Sequence, residues 1–126
     1  MEEDDRPAMP SADDLMGPAF LQNPLPMTIT NGQSNRFTAA NFAFLELTGF
    51  WRSDVIGSTS EELNLWVHRD SRASIGAELE RSAVVGPVEG QLRVKSGEII
   101  SCRYAFRLLS ANGLSSVLTV VVPEPW

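Results

Sequence analysis

The stretch of the sequence that decides the fold is residues 37–72, FTAANFAFLELTGFWRSDVIGSTSEELNLWVHRDSR. Near its start, the side-chain oxygen of Asn41 can cap a helix, and apolar residues recur at helical spacing after it. Gly49 can end this helix because glycine adopts the left-handed backbone conformation at little cost. We therefore predict a helix from Asn41 to Thr48.

Two more helices are predicted downstream. Ser53 is a candidate cap, and Gly57 follows so closely that only about one helical turn fits between them. Asp70 is the next candidate cap, and the pattern after it predicts the longest helix of the chain, ending near Ala83. Gly86-Pro87 is expected to stop that helix.

Outside the helices, apolar and polar residues alternate with the period of half-buried strands. We predict five strands, Met27–Thr30, Arg36–Ala39, Val88–Lys95, Glu98–Leu109 and Leu114–Val122. Asn31-Gly32 supplies a turn able to take positive φ after the first strand, and the last three strands form an antiparallel meander. The predicted fold class is therefore α+β, a five-stranded antiparallel sheet with helices packed on one face.

The chain is predicted to form one domain over residues 19–122, preceded by a flexible acidic tail, residues 1–18. Four apolar residues fit a short amphipathic element, namely Leu15, Met16, Phe20 and Leu21. Gly17-Pro18 is expected to interrupt its helical periodicity. Residues 123–126 are interpreted as the start of a linker or the end of the chain.

Composition narrows the classes of function. The chain has 126 residues, of which 43% are hydrophobic and 21% charged, as is typical of one globular domain. The net charge of −6 argues against nucleic acid as a partner. Cys102 is the only cysteine, so the sequence predicts no disulfide framework and favours the cytoplasm. The N-terminus lacks a signal-peptide pattern, and the apolar run Val117–Val122 is too short to cross a bilayer as a helix.

Several motifs, in the same order, resemble those of the PAS family. Asn41–Phe50 resembles the family's Asn-x-x-Phe helix, which ends in a glycine and an aromatic residue. Ser53–Gly57 resembles its short acidic helix closed by Ile-Gly, and Leu65–Arg72 is similar to its Leu-Trp followed by an Asp-Arg helix start. Lys95–Glu98 resembles its Lys-Asp-Gly-Glu hairpin, and the resemblance extends over Phe20–Val122.

The resemblance implies a PAS fold and a sensory or regulatory role without enzymatic activity. The chain would be the N-terminal input module of a cytoplasmic bacterial protein such as a sensor histidine kinase or a cyclic-dinucleotide enzyme, with a homodimer partner or an effector domain. The chain departs from the family at residues 123–126, where Pro-Glu-Pro-Trp replaces the Asp-x-Thr signature that usually ends the last strand. The alternative is a protein–protein interaction or dimerisation module without a small-molecule ligand, which would contact its partner through the sheet and the N-terminal apolar element.

Candidates for catalysis or metal binding are few. His68 is the only histidine, and we interpret it as a surface residue and Cys102 as a core residue rather than as a base and a nucleophile. A small α+β enzyme would need buried Asp/His or Tyr/Asp pairs, which the sequence does not assemble. Glu61 and Glu62, with Asp70, are interpreted as a solvated face, so no metal site is predicted.

The cofactors known from the family are not expected here. Haem-binding PAS domains carry an axial histidine on the long helix, and Asp70–Ala83 contains none. Flavin photoreceptors carry a reactive cysteine in an Asn-Cys-Arg-Phe-Leu-Gln motif, and the nearest segment here is Ser58–Leu63. The resemblance thus implies neither haem nor a photoreactive flavin, and it identifies no other cofactor.

The remaining candidate site is an apolar cavity between the sheet and the helices. The residues predicted to line it are Met27, Ile29, Phe44, Asn64, Trp66, Ile75, Leu79, Cys102, Tyr104 and Phe106. Polar contacts would come from Asn64, Trp66 and Tyr104. Apolar and aromatic residues at such positions also fit a filled core, so a site for a small apolar ligand and a fully packed interior both stay open.

Overall fold

The helices and strands are those of a small α+β protein. A computed structural model describes residues 12–68, 71–111 and 113–125 of the chain. These residues form the helices α1 (Ala12–Leu21), α2 (Phe42–Thr48), α3 (Arg52–Val55) and α4 (Ser71–Ser82). They also form the strands β1 (Met27–Asn31), β2 (Phe37–Ala40), β3 (Val84–Arg93), β4 (Ile99–Ala111) and β5 (Leu114–Pro123).

The five strands make one antiparallel sheet in the order β2-β1-β5-β4-β3. Strand β1 therefore lies in the sheet beside β5, the last strand in sequence, and β3, β4 and β5 form the predicted meander. Helix α2 packs on β1, α3 packs on β2, and α4 packs on β3 and β4. The predicted α+β class and five-stranded antiparallel sheet are confirmed.

The core lies between the helices and one face of the sheet. Strand β4 alternates as predicted, because Tyr104 and Phe106 are buried while Arg107 is exposed. The buried apolar residues are Phe37, Ala40, Phe44, Val55, Leu65, Leu79, Leu92, Cys102, Tyr104, Phe106 and Val121.

Asn41 caps the start of α2 as predicted, and its side chain also bonds other segments of the chain. Asn41 Oδ1 accepts hydrogen bonds from the backbone N–H of Phe44 at 3.0 Å and of Met27 at 2.9 Å. Its Nδ2 donates to the carbonyls of Leu25 at 2.8 Å and Phe20 at 3.0 Å. Asn41 is fully buried, so one side chain joins α2, β1 and the segment between α1 and β1.

The predicted ends of α2 and α4 are also confirmed. Gly49 has a φ of 77°, and its N–H donates to the carbonyl of Leu45. Ala83 has a φ of 63°, and its N–H donates to the carbonyl of Leu79. The predicted cap of α4, Asp70, lies outside the described residues.

The prediction that Ser53 caps the short helix is wrong. Helix α3 begins at Arg52, and Ser53 lies inside it and is exposed. The start is held instead by Asp54, whose carboxylate accepts a hydrogen bond from the N–H of Trp51 at 2.8 Å. The carboxylate of a residue inside the first turn thus accepts from the N–H of the residue that precedes the helix, the bond that the acidic residue makes in a capping box.

The expectation that Gly86-Pro87 stops the long helix is also wrong, because the pair lies within β3. The pairing with β4 shifts register between Val85 and Val88, so the glycine and the proline form a bulge. Gly86 has a φ of 100°, and a Cβ there would lie 2.5 Å from the carbonyl oxygen of Tyr104. The bulge therefore accommodates a glycine-proline pair inside a strand.

The turn between β1 and β2 differs from the expected one. The positive φ, 61°, falls on Asn35 rather than on Gly32. Gly32 is held close to β5, since its N–H donates to the carbonyl of Ser115 at 2.9 Å and a Cβ would approach that oxygen equally closely. Glycine is thus needed here for its small size rather than for its backbone freedom.

Helix α1 runs through Gly17 and Pro18, where the sequence predicted an interruption. The predicted tail, residues 1–18, therefore ends in helical residues from Ala12 onward. Residues 1–11 lie outside the described part of the chain.

Candidate functional site

A cavity of about 540 Å³ lies between α4, the segment before it and the core face of the sheet. This volume falls within the range of small-molecule sites in proteins. Its apolar lining comes from Phe37, Trp66, Ile75, Leu79, Val85, Val88, Tyr104, Phe106 and Val117. The serine and threonine residues of the lining are Thr28, Thr30, Ser60, Ser74 and Thr119.

One wall of the cavity is aromatic. Trp66 meets Tyr104 edge to face, with 4.5 Å between the ring centroids and an interplanar angle of 78°. Phe106 lies 6.2 Å from Tyr104 and 6.3 Å from Trp66. Trp66 is positioned by a bridge to Leu92 on β3, so the segment before α4 is tied to the sheet at this wall. Such ring pairs hold each other in defined orientations.

Tyr104 is the unusual member of this wall. Its side chain is 5% exposed, and its hydroxyl is the one buried side-chain polar atom without a hydrogen-bond partner among the described residues. Burial raises the pKa of Tyr104, so the hydroxyl keeps its proton. Gly90 makes room for the ring, because a Cβ at this position would lie 2.2 Å from Cε2 of Tyr104.

The rim of the cavity is polar and exposed. His68, Ser74 and Glu89 are exposed lining residues, and the ring nitrogen Nε2 of His68 lies 3.2 Å from Oε1 of Gln91. Glu78 pairs with Arg81, which lowers the pKa of the Glu78 carboxyl. Among the described lining residues there are two carboxylates, one of them paired with Arg81, and no lysine or arginine.

Five of the ten residues predicted for the site line this cavity. They are Trp66, Ile75, Leu79, Tyr104 and Phe106. Phe44 and Cys102 are buried in the core but are not lining residues, and neither is Asn64, whose carbonyl accepts a hydrogen bond from Arg93. A role of any of these residues in ligand binding stays a prediction.

The prediction placed Met27 and Ile29 on the wrong side of β1. Thr28 and Thr30 line the cavity instead, since Thr28 pairs with Thr119 and shares its face of the sheet. The rule that apolar residues face the core fails for β1, because the other face of this strand is also half-buried. Both faces of the strand therefore accept β-branched residues. The alternation identifies two faces but does not say which one meets the helices.

The lining residues Val85, Val88 and Val117 were missed by the sequence analysis. Val88 stands on the same predicted face as Leu92, and Val117 is two residues before Thr119. The alternation of their strands was therefore the available signal for these positions. Val85 carried no such signal, because it precedes the bulge.

The structure does not join the lone cysteine and the lone histidine into a reactive pair. Cys102 is fully buried, with Sγ 3.7 Å from the carbonyl oxygen of Gly90, whereas His68 is exposed beside Gln91. Burial raises the pKa of the Cys102 thiol, which disfavours the nucleophilic thiolate.

Metal clusters and membrane-spanning helices are both absent from residues 12–68, 71–111 and 113–125. This part of the chain contains no group of three or more histidine, cysteine, aspartate or glutamate side chains that could hold a metal ion. It also contains no helix that is long and apolar enough to cross a bilayer.

Comparisons with known proteins identify the fold. No family model matches the chain, and no curated protein does. The PAS domain of a two-component sensor histidine kinase superposes with a TM-score of 0.75 at 12% identity, covering 89% of this chain and 96% of that one. The chain has the PAS fold. The PAS domain of an HTR-like protein from Haloarcula marismortui has a TM-score of 0.70 at 16% identity, with coverage of 88% and 90%.

A third PAS-fold neighbour was solved with a small molecule. It is the PAS domain, in complex with ethanol, of a LuxR-family transcriptional regulator from Burkholderia thailandensis. Its TM-score is 0.67 at 17% identity, with coverage of 87% of this chain and 97% of that one. The PAS fold that the sequence motifs predicted is thereby confirmed.

Proposed function

We propose that this PAS-fold chain is the sensory input module of a bacterial signal-transduction protein, such as a sensor histidine kinase, and that its cavity binds a small molecule. The observation that carries the proposal is the cavity of about 540 Å³ with a largely apolar lining. A cavity of this kind is the usual form of a small-molecule site.

The solved PAS-fold neighbours support the two parts of the proposal. One belongs to a sensor histidine kinase, and another, from a transcriptional regulator, is in complex with ethanol. A sensory module performs no chemistry and acts by favouring one conformation over another.

Helix α4 is the element that a ligand would bias. Leu79 is buried and Ile75 is half-buried, whereas Gly76 and Glu80 are exposed. Gly76 also lowers the intrinsic stability of the helix. A ligand in the cavity would add contacts to Ile75 and Leu79 and so hold α4 against the sheet, shifting the population that an attached output domain senses.

The binding part of the proposal is tested by filling the cavity. Val88→Phe places a larger ring in the lining, and Val84→Phe is the matched control, because Val84 lies on the same strand and is exposed. Native mass spectrometry and calorimetric titration of the purified protein should detect a bound small molecule in the wild type and in Val84→Phe but not in Val88→Phe. A wild-type protein that carries and binds no small molecule would contradict it.

The signalling part of the proposal is tested by the gene sequence that follows codon 126. The codons after Trp126 should encode a heptad-patterned helix that leads to a phospho-accepting histidine. A stop codon directly after Trp126 would contradict the input-module proposal.

Dimerisation is the second candidate function, and one observation favours it. On the face of the sheet opposite the cavity, Met27 pairs with Val120 and Ile29 with Leu118, which makes a half-buried apolar patch on the two adjacent strands. A second copy of this chain, which carries the same patch, is the proposed occupant. Leu118→Glu should then halve the mass measured by light scattering, and an unchanged mass would contradict this candidate.

A further inference from the structure

The buried polar residues among those that the structure describes form two groups. The side chain of Asn41 bonds several backbone groups, and the Thr48 hydroxyl donates to a carbonyl of its own helix at 2.8 Å. Neither of these two residues lines the cavity. The buried residues whose side chains make no hydrogen bond within the described part of the chain all line it, and they are Thr28, Ser60 and Thr119.

The hydroxyls of Thr28 and Thr119 are open to the cavity. Within residues 12–68, 71–111 and 113–125, the Tyr104 hydroxyl is the one side-chain polar atom that is both closed off on all sides and unpaired. The two threonine hydroxyls are unpaired as well, so they keep some accessible surface. Both residues stand on the helix-facing side of interior strands and are exposed by only 3% and 6%. The surface that they keep therefore belongs to the cavity that they line.

The two threonines form a pair. Thr28 on β1 and Thr119 on β5 are direct partners in the antiparallel ladder. The Cβ atoms of such partners lie about 4.5–5.5 Å apart, so one ligand oxygen can reach both hydroxyls. Each hydroxyl can donate and accept a hydrogen bond. The aromatic wall of the same cavity, Trp66, Tyr104 and Phe106, offers apolar surface to the rest of a ligand.

We propose that Thr28 and Thr119 are the polar end of the ligand site and bind the oxygen-bearing head group of a small molecule whose apolar body packs on the aromatic wall. Aromatic alcohols, ketones and carboxylic acids belong to this class, and hydrocarbons do not. Valine, which has the same shape, would fit both strand positions without an unpaired hydroxyl. The inference rests on the proposed function, since it names the ligand chemistry of the same cavity.

The test removes the two hydroxyls and keeps the shape of the side chains. Benzyl alcohol and ethylbenzene, which differ by a hydroxyl in place of a methyl group, are titrated calorimetrically into the wild type and into the double variant Thr28→Val/Thr119→Val. We expect the double variant to bind benzyl alcohol about fivefold more weakly, the effect of one hydrogen bond, and to bind ethylbenzene no more weakly than the wild type. The two single variants repeat the test for each hydroxyl.

Thr48→Val is the matched control, because Thr48 is equally buried but lies outside the cavity lining and its hydroxyl is bonded. It should lower the melting temperature and leave the affinity for both probes unchanged. The double variant Thr28→Val/Thr119→Val should melt at the temperature of the wild type or higher, since it breaks no hydrogen bond within the described residues. A lower melting temperature together with equal losses for both probes would assign the two hydroxyls to the fold and overturn the inference.

The remaining outcomes separate this inference from the proposed function. Benzyl alcohol affinity that is unchanged in the double variant overturns the polar end of the site but leaves a binding cavity. Wild-type protein that binds ethylbenzene and not benzyl alcohol has the same meaning. Wild-type protein that binds neither probe also overturns the inference, and the proposed function fails with it if native mass spectrometry detects no bound small molecule.

Discussion

The two ends of the helical layer are built differently. At the α2–α3 end, Asn41, Phe44, Thr48 and Val55 are each exposed by 1% or less, and the Asn41 side chain bonds four backbone groups at distances of 2.8–3.0 Å. At the α4 end, Leu79 is the one buried residue among the described side chains of the helix, and a cavity lies beneath it.

This difference assigns the stability of the fold to one end of the helical layer and local opening to the other. A buried and fully hydrogen-bonded end opens only when the whole domain unfolds, whereas an end with few buried contacts can open locally at lower cost. The PAS fold of this chain therefore rests on its α2–α3 end, and the proposed ligand would have most influence at its α4 end.

The largest expected effect is the loss of the Asn41 side chain. Asn41→Ala removes the side-chain partner of two N–H groups and of the carbonyls of Phe20, Asn23 and Leu25, and each buried group left unpaired costs about 1–3 kcal/mol. We expect the free energy of unfolding, measured in urea, to fall by about 3–5 kcal/mol. Asn23→Ala is the control, because Asn23 accepts one exposed hydrogen bond, from Leu25. Equal losses in the two variants would remove the contrast between the ends.

A smaller effect is expected at the aromatic wall of the cavity. Gly90→Ala forces the Tyr104 ring to move, since the new Cβ would lie 2.2 Å from Cε2. Overpacking of this kind costs about 1–3 kcal/mol of unfolding free energy, which urea denaturation measures. Native mass spectrometry should also show a loss of the bound molecule, because Gly90 and Tyr104 both line the cavity. If Gly90→Ala were as stable as the wild type, the Tyr104 ring would not be held in place.

The substitution of a glycine in α4 should act in the opposite direction. Gly76 lies inside α4, and a Cβ added to it would have no neighbouring atom within 4 Å, so Gly76→Ala adds helix propensity without a clash. We expect the free energy of unfolding to rise by about 0.5–1 kcal/mol. Amide hydrogen exchange should slow in α4 and stay unchanged in α2. Equal slowing in both helices would mean that the two ends open together.

The smallest effect concerns the ion pair at the α2–α3 end. Lys95 Nζ lies 2.9 Å from Oδ2 of Asp54, and this hydrogen bond, with that from Trp51, holds the pKa of Asp54 below its ordinary value. A lowered folded-state pKa stabilises the native state above the unfolded-state value, near pH 4, and this contribution is lost as the pH falls through the folded-state pKa.

The variant Asp54→Asn isolates this contribution. Its urea midpoint should lie below that of the wild type at pH 7, and the two should converge as the pH falls below the folded-state pKa of Asp54. Glu46→Gln, which neutralises an exposed carboxylate of α2, should show no such convergence. A constant difference between Asp54→Asn and the wild type at all pH values would contradict the role of the ion pair.

The amino-acid sequence by itself determined the elements whose signals are local. The cap at Asn41, the end at Gly49 and the alternation around Tyr104 each depend on residues close together in the chain, and all three are present in the structure. Helix caps and side-chain periodicity are set by residues close together in the chain, so they can be predicted from one sequence.

Only the tertiary structure decided which surfaces meet and where space remains. Thr28 rather than Ile29 faces the cavity because β1 pairs with β5, which is distant in sequence, and Gly86-Pro87 stays within β3 because β4 accommodates its bulge. The cavity itself is the volume left after α4 and the sheet have packed. Such a volume depends on the sum of many long-range contacts, which no local pattern of residues encodes.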